Sequence, residues 1–472
     1  MVQRSFLITI LDDNLVEENE IFQVVLETPE GGGSVGAQFR CNVTIIDDDI
    51  HKTSPTLTRA LANTSIARAG DLFSVHIQAS LPTGLPQRVG GDEFLAILEN
   101  DISTLSSPSS KRLAPRVYFP VTDLGNGLFE VSSPPGGIQE QGQYQLRIFH
   151  VFPNAIRGDY FYDAFFETVA VSRLDHAVNF TWQTGRLTPR GSDYISIRWR
   201  GGVRISTTGV YKFAIQADDY ARLWINNLLV IDHTTEREAF RESVKSVYLQ
   251  QGIVEVVMEY VEVQGVAYAK LLWDGGGNGV MQVIPQNKLV TLYEIDTSPI
   301  QVNIKSTYTS AIYTEVYGDG IGNGIGGVNG DGGILSTHIT TLTPTTFTIY
   351  PRDVYGNLRD DDEEYFLSTQ PFAASLTLLQ GDGNGDGDGN SGGGEVIPTI
   401  VPTLTYNPSD HSFTGTYTPN IAGVYSLNIT YTSSPDLLPS HVVGSPYTLR
   451  VNPSTPCGPN SLVSPLPSPL YI

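Results

Sequence analysis

Two aspartates stand side by side at Asp218-Asp219, between a first alternating apolar stretch (Tyr211, Phe213, Ile215) and a second one opening at Arg222-Leu223-Trp224-Ile225. Adjacent carboxylates at a strand end repel each other unless water, a hydrogen-bond donor or a cation intervenes, so the pair suits either a cation or a strand-end cap that accepts backbone N–H bonds. Two further acidic groups lie near the N-terminus. Asp12, Asp13, Glu17 and Glu20 share one loop, and Asp47-Asp48-Asp49 close the same segment. Calcium takes 6–8 oxygens at ~2.3–2.6 Å, which suits clusters this dense. Asp382-Gly383-Asn384-Gly385-Asp386-Gly387 has the first half of an EF-hand loop, yet Gly393 stands where the bidentate Glu belongs and no helix flanks it, so it reads as a plain loop. Gly322-Asn323-Gly324-Ile325-Gly326-Gly327 lacks the following helix that would hold a phosphate. Gly32-Gly33-Ser34-Val35-Gly36 has the letters of a nucleophile elbow but no parallel sheet and helix behind it. The 8 histidines are scattered singly, which leaves zinc unsupported.

The elements that must position these residues are strands. Tyr211, Phe213 and Ile215 alternate with Lys212, Ala214 and Gln216, and Asn226-Asn227 is a two-residue turn after which Leu228 to Ile231 return. Gly 47 and Pro 29, with Tyr 23 and Phe 19, describe strands and turns, and no window sustains a helical repeat. The expected fold class is therefore all-β, and 472 residues suit three or four domains of ordinary size. A net charge of −22 makes nucleic acid and anionic membrane surfaces poor partners and favours divalent cations and basic surfaces. Cys41 and Cys457, at opposite ends of the chain, read as two isolated thiols. No apolar run reaches the ~18 residues of a transmembrane span. Met1 leads straight into a strand without a signal-peptide core.

From Ala155 to about Asp296 the chain resembles the PA-fourteen domain, the β-sandwich named after the anthrax protective antigen. The likeness runs through Arg157-Gly158-Asp159-Tyr160-Phe161, Val178-Asn179-Phe180-Thr181-Trp182, Ser196-Ile197-Arg198-Trp199-Arg200-Gly201, the acidic pair and Leu223-Trp224-Ile225. Val247-Tyr248-Leu249, Gln251-Gly252, Met258-Glu259-Tyr260, Leu271-Leu272-Trp273 and Ile284-Pro285 complete it. The resemblance implies that Asp218 and Asp219, joined by a cis peptide, hold a calcium ion that bridges to glycan hydroxyls. It places Asn278 as a further ligand from a late loop, and Trp182, Trp199, Trp224 and Trp273 in the core.

Residues 1–50 resemble the second half of a Calx-β domain, with strands at Phe6-Ile10, Phe22-Leu26 and Val43-Ile45. That likeness implies calcium at Asp12, Asp13, Glu17, Glu20, Asp47, Asp48 and Asp49. Three strands leave an apolar face uncovered, so the segment reads as half of a sandwich and the chain as a piece of a longer protein or a mis-started gene product. Residues 55–154 resemble a filamin-type immunoglobulin-like repeat through Gly90-Gly91-Asp92-Glu93-Phe94 and Gly142-Gln143-Tyr144, with the family's last strand lost or shared. Residues 297–453 resemble a second one through Tyr350-Pro351-Arg352-Asp353-Val354-Tyr355-Gly356-Asn357 and Val443-Gly444-Ser445-Pro446-Tyr447, with Gly/Asp-rich insertions. Residues 454–472 are a Pro/Ser-rich tail.

Sequons at Asn42, Asn63, Asn179 and Asn428 mark glycosylation candidates and favour the cell exterior. The expectation is a rod of tandem β-sandwiches, non-catalytic, in an extracellular or cell-surface adhesion or matrix protein whose partner is a carbohydrate or glycoprotein bound through calcium. One alternative is a cytoplasmic filamin-like scaffold that takes peptides by strand addition at sheet edges. The other is the accessory region of a glycosidase whose catalytic domain lies elsewhere.

Overall fold

The structure is a computed structural model, described at residues 20–26, 35–36, 39–45, 52–62, 64–100, 116–189, 191–233, 242–275, 279–319, 321–323, 339–359, 371–381, 398–433 and 437–455. Among these residues the elements are strands, apart from a 3-10 turn at Gln286–Lys288. No helix of the described residues is long and apolar enough to cross a membrane. The all-β expectation holds. The chain forms two compact units, one of residues 1–65, 73–134 and 144–301, the other of 66–72, 135–143 and 302–472.

The first unit contains the sandwich that carries the acidic pair. Its strands are β1 (Ile156–Phe161), β2 (Val169–Asp175), β3 (Asn179–Gln183), β4 (Ile195–Ile205), β5 (Gly209–Asp218), β6 (Tyr220–Ile225), β7 (Leu228–Asp232), β8 (Glu242–Leu249), β9 (Gly252–Glu262), β10 (Ala267–Trp273), β11 (Gln282–Val283) and β12 (Leu289–Glu294). One sheet runs β7-β6-β9-β4-β12, with β1 joined to β4 and β2 to β1. The facing sheet runs β3-β10-β5-β8, with β11 on β10. The period-two alternation of each strand builds the core between them: Ile197, Trp199 and Val203 from β4 meet Tyr211, Phe213 and Ile215 from β5 and Val256, Met258 and Tyr260 from β9. The β6–β7 hairpin turns at Asn226 (φ 49°) and Asn227 (φ 63°), the left-handed pair expected of two asparagines.

One tryptophan departs from expectation. Trp199 and Trp273 are buried and Trp182 packs against the core. Trp224 instead lies half-buried on the outer face of β6, with the Arg222 guanidinium 5.0 Å from its ring. Leu223 and Ile225 take the inward positions, so the pleat turns their neighbours outward.

The sheet does not stop at residue 154. A strand at Gly142–Pro153 pairs along Phe149–Pro153 with β12 and along Tyr144–His150 with Phe94–Asn100. Opposite Phe94–Asn100 lies a four-stranded sheet of Arg59–Ala60, Ser74–Gln78, Leu128–Ser132 and Val121–Asp123. Phe94 and Phe129 meet edge-on, with centroids 4.7 Å apart.

The second unit is another two-sheet sandwich. Its first sheet orders Gly322–Asn323, Glu315–Gly318, Thr345–Tyr350, Ser412–Tyr417 and Thr403–Asn407. The other orders Ile339–Thr340, Tyr447–Asn452, Gly423–Tyr431, Phe372–Gly381 and Thr399–Ile400, and Ser440–His441 pairs with Gly423–Tyr431. Phe347, Ile349, Tyr425 and Leu427 lie in its core. A Cβ at Gly415 would stand 2.1 Å from the Phe347 ring, so only glycine fits beneath it. Buried Asp353 closes the Pro351 to Asn357 turn by accepting the N–H groups of Thr307, Tyr355 and Asn357 at 3.0, 2.9 and 2.9 Å.

At the N-terminus Glu20–Val25 and Arg40–Ile45 pair antiparallel, with Phe22 opposite Val43. The strand expected at Phe6-Ile10 lies outside the described residues. Cys41 is a free, exposed thiol, and Cys457 also lies outside them.

Candidate functional site

Asp218 ends β5 in one sheet, and Tyr220 begins β6 in the other. The acidic pair is therefore the point at which the chain crosses between the two layers. Strand pairing places it: Asp218 stands opposite Tyr268 on β10, and Tyr220 opposite Val261 on β9. The peptide between the aspartates is cis.

The two carboxylates have different surroundings. Asp219 Oδ2 accepts the Val263 N–H at 2.7 Å and the Gln264 N–H at 3.4 Å. Asp218 is held through its backbone, its carbonyl accepting the Tyr260 hydroxyl. No hydrogen bond reaches the Asp218 carboxylate among the described residues, and burial together with the Asp219 charge pushes its pKa up. Both side chains are half-buried. The pair thus presents hard oxygen donors whose mutual repulsion a cation would relieve. No third Asp, Glu, His or Cys converges with them among the described residues.

Below the pair lies a carboxyl group that the sequence reading did not single out. Glu262 is fully buried, and among the described residues its Oε1 has no hydrogen-bond partner. Its Oε2 is 2.8 Å from the Tyr260 hydroxyl. That hydroxyl has one proton and two acceptors in reach, the Glu262 carboxyl and the Asp218 carbonyl. Burial and then the charges of Asp219, Asp218 and Asp193 push the Glu262 pKa up to about 7, against the pull of the hydrogen bond that the Tyr260 hydroxyl donates to it. A signal for it exists in the sequence: Val254, Val256, Met258 and Tyr260 form the inward row of β9, and Glu262 continues that row.

A stability consequence follows. A buried carboxyl whose folded pKa is raised stabilises the fold fully below its unfolded pKa, and this is lost as pH rises through about 7. Glu262→Gln, which keeps the shape without the charge, is expected to flatten the decline. Thermal midpoints from pH 5 to 8 in a chelator check this, with wild type losing on the order of 2 kcal/mol more than the variant across that range.

Of the other residues singled out from sequence, Asn278, Asp12, Asp13, Glu17, Asp47, Asp48, Asp49 and Asn63 lie outside the described residues, as does the Asp382 to Asn390 run. Glu20 begins its strand, and its side chain is outside the described set. Asn42 is exposed, its Oδ1 accepting from the Gln23 amide at 2.9 Å. Asn179 is exposed on β3, and Asn428 is half-buried in Gly423–Tyr431.

The PA14 domain family matches residues 155–286, the stretch that holds the cis aspartate pair. Residues 155–286 are a PA14 domain. The anti-sigma-I factor RsgI3 of Acetivibrio thermocellus is 30% identical over 170 residues, covering 35% of this chain. The match spans 24% of that relative's own length. Among solved structures, an anti-sigma factor domain-containing protein from Clostridium clariflavum aligns at 18% identity over 62% of this chain and 99% of its own, with a TM-score of 0.26. A PA14 sugar-binding domain from an RTX adhesin aligns at 14% identity over 30% of this chain and 99% of its own, with a TM-score of 0.27. The epithelial adhesin 9 A domain of Candida glabrata, in complex with Galb1-4GlcNAc, aligns at 12% identity over 31% and 92%, with a TM-score of 0.26.

Proposed function

We propose that the PA14 domain binds carbohydrate through a calcium ion held at Asp218 and Asp219. The flanking sandwiches, read from sequence as immunoglobulin-like and Calx-β units, serve as spacers in a non-catalytic extracellular or cell-surface adhesion or matrix protein. The observation that carries this reading is the asymmetry of the pair: Asp219 is fixed by two backbone N–H groups, while among the described residues none reaches the Asp218 carboxylate. Two carboxylates supply at most four of the 6–8 oxygens calcium takes, so hydroxyl groups of a sugar have coordination positions to fill. Asn278 is the further protein ligand proposed from the late loop. When bound, calcium supplies a fixed positive centre for paired hydroxyls, and the protein's part is to hold the two carboxylates at the sheet crossing.

The test is calorimetric titration of calcium into the full chain. Asp218→Ala with Asp219→Ala is expected to remove one site from the wild-type stoichiometry. Unchanged stoichiometry and affinity in the double variant would sink the assignment. A second reading is favoured by the 30% identity over 170 residues to an anti-sigma-I factor: the PA14 domain as part of a regulatory protein. It uses the same aspartates and parts from adhesion in what the bound chain does next. Cell adherence to glycan-coated surfaces separates the two.

A further inference from the structure

Tyr194 immediately precedes β4 and is 53% exposed, although the strand residues that follow it, Ile195, Ser196 and Ile197, are buried. Its backbone φ is +55°, a conformation that bulky side chains rarely adopt and that persists only where the surroundings hold it. The surroundings are identifiable. The Tyr194 N–H donates to the Val263 carbonyl at 3.1 Å, and the Gln264 side-chain amide donates to the Tyr194 hydroxyl at 2.9 Å. Val263 and Gln264 are the same two residues whose N–H groups hold Asp219 Oδ2. One dipeptide in the β9–β10 turn therefore clamps both the acidic pair and an exposed aromatic ring fixed at backbone and hydroxyl. A core tyrosine would be buried, and a free surface tyrosine would have no reason for a left-handed backbone tied down at both ends.

We infer that Tyr194 is a specificity-determining residue of the carbohydrate site, the platform on which the apolar C–H face of a hexopyranose rests while calcium takes its hydroxyls. This rests on the calcium-dependent reading given above. Sugar sites pair a few directed polar groups with an apolar wall. A tyrosine already held by Gln264 offers that wall at small cost in conformational entropy. The ligand class is a pyranose with two adjacent hydroxyls on one edge and a continuous C–H face beside them.

The experiment uses the full chain with millimolar calcium and a panel of methyl hexopyranosides, chiefly methyl β-galactopyranoside and methyl α-mannopyranoside. Calcium affinity is read by calorimetry, and sugar binding by saturation-transfer NMR at the sugar ring protons. Tyr194→Ala is expected to keep calcium affinity within about twofold and to weaken sugar binding about tenfold or more, the ~1.4 kcal/mol of one lost aromatic contact. Tyr194→Phe, which keeps the ring and loses the anchor to Gln264, is expected to fall between. Tyr248→Ala, at a more exposed tyrosine on β8, is expected to leave sugar binding unchanged. Full sugar affinity in Tyr194→Ala overturns the inference, as does a wild type that binds calcium at the pair and none of the sugars. A wild type that binds no calcium at Asp218 and Asp219 overturns the functional reading itself, and the platform with it.

Discussion

Asp175→Ala is expected to lower the unfolding free energy of the PA14 domain by about 3–5 kcal/mol, the largest effect of any single substitution considered. Asp175 is 6% exposed at the end of β2. Its Oδ2 accepts the Tyr160 hydroxyl and the Trp199 indole N–H, both at 2.8 Å, and its Oδ1 accepts Arg173 Nε at 2.8 Å. Tyr160 and Trp199 are themselves fully buried. Removing the carboxylate leaves two donors with no water to turn to, each costing about 1–3 kcal/mol. Arg173 is exposed enough to be resolvated, so it adds little. The same crowding explains Gly158, where a Cβ would stand 2.6 Å from Asp175 Oδ2. Asp175→Asn keeps one acceptor and is expected to cost about half as much. Urea unfolding of the full chain, followed by tryptophan emission, decides it. An alanine variant within about 1 kcal/mol of wild type would show that the network contributes packing alone.

Arg116→Met is expected to cost about 3 kcal/mol and to do so across a sequence boundary. Arg116 is 2.6 Å from Glu99 through Nη2 and pairs with Glu255 on β9 through Nη1. Arg147 pairs with Glu294 at 3.0 Å and approaches Glu255 at 3.9 Å, and the Tyr118 hydroxyl reaches Asn226 of the β6–β7 turn at 3.2 Å. These side chains are mostly withdrawn from water, the Arg116 side chain being 11% exposed. Losing the cation strands Glu99 and Glu255 beside each other with little solvent to screen them. The tryptophans make the readout specific: all 4 of the chain lie between Trp182 and Trp273, inside the PA14 domain. Arg116 lies outside it, so a fall in the tryptophan-reported midpoint shows that the domain and the preceding sandwich unfold together. A midpoint that does not move would show that the shared strand at Gly142–Pro153 couples them without energetic consequence. Glu255→Gln combined with Arg116→Met is expected to recover part of the loss, because one of the stranded charges is gone.

Much of the architecture was legible from local pattern. The alternation of Tyr211, Phe213 and Ile215 is the inward row of β5, and Asn226-Asn227 is the left-handed turn its residue types demand. Both are short-range properties in which side-chain period and backbone freedom act within a few residues. The resemblance places Trp224 in the core, whereas the pleat of β6, with Leu223 and Ile225 inward, turns it outward. Glu262 was not singled out, although it continues the inward row of β9.

By itself the sequence determined the all-β class, the PA14 segment, and the presence of two adjacent carboxylates between two strands. The class and the paired carboxylates follow from period, turn residues and adjacency, and the PA14 segment from a run of short motifs in one order, none of which needs a distant partner. Only the tertiary structure decided that Asp218 and Asp219 mark the crossing from one sheet to the other, that Tyr194 and Asp219 share the Val263-Gln264 turn, and that Glu262 lies beneath them. It also decided that the strand Gly142–Pro153 belongs to two sandwiches at once. Each of these depends on strand pairings between residues tens of positions apart, whose register is set by which faces bury together and not by any local spacing.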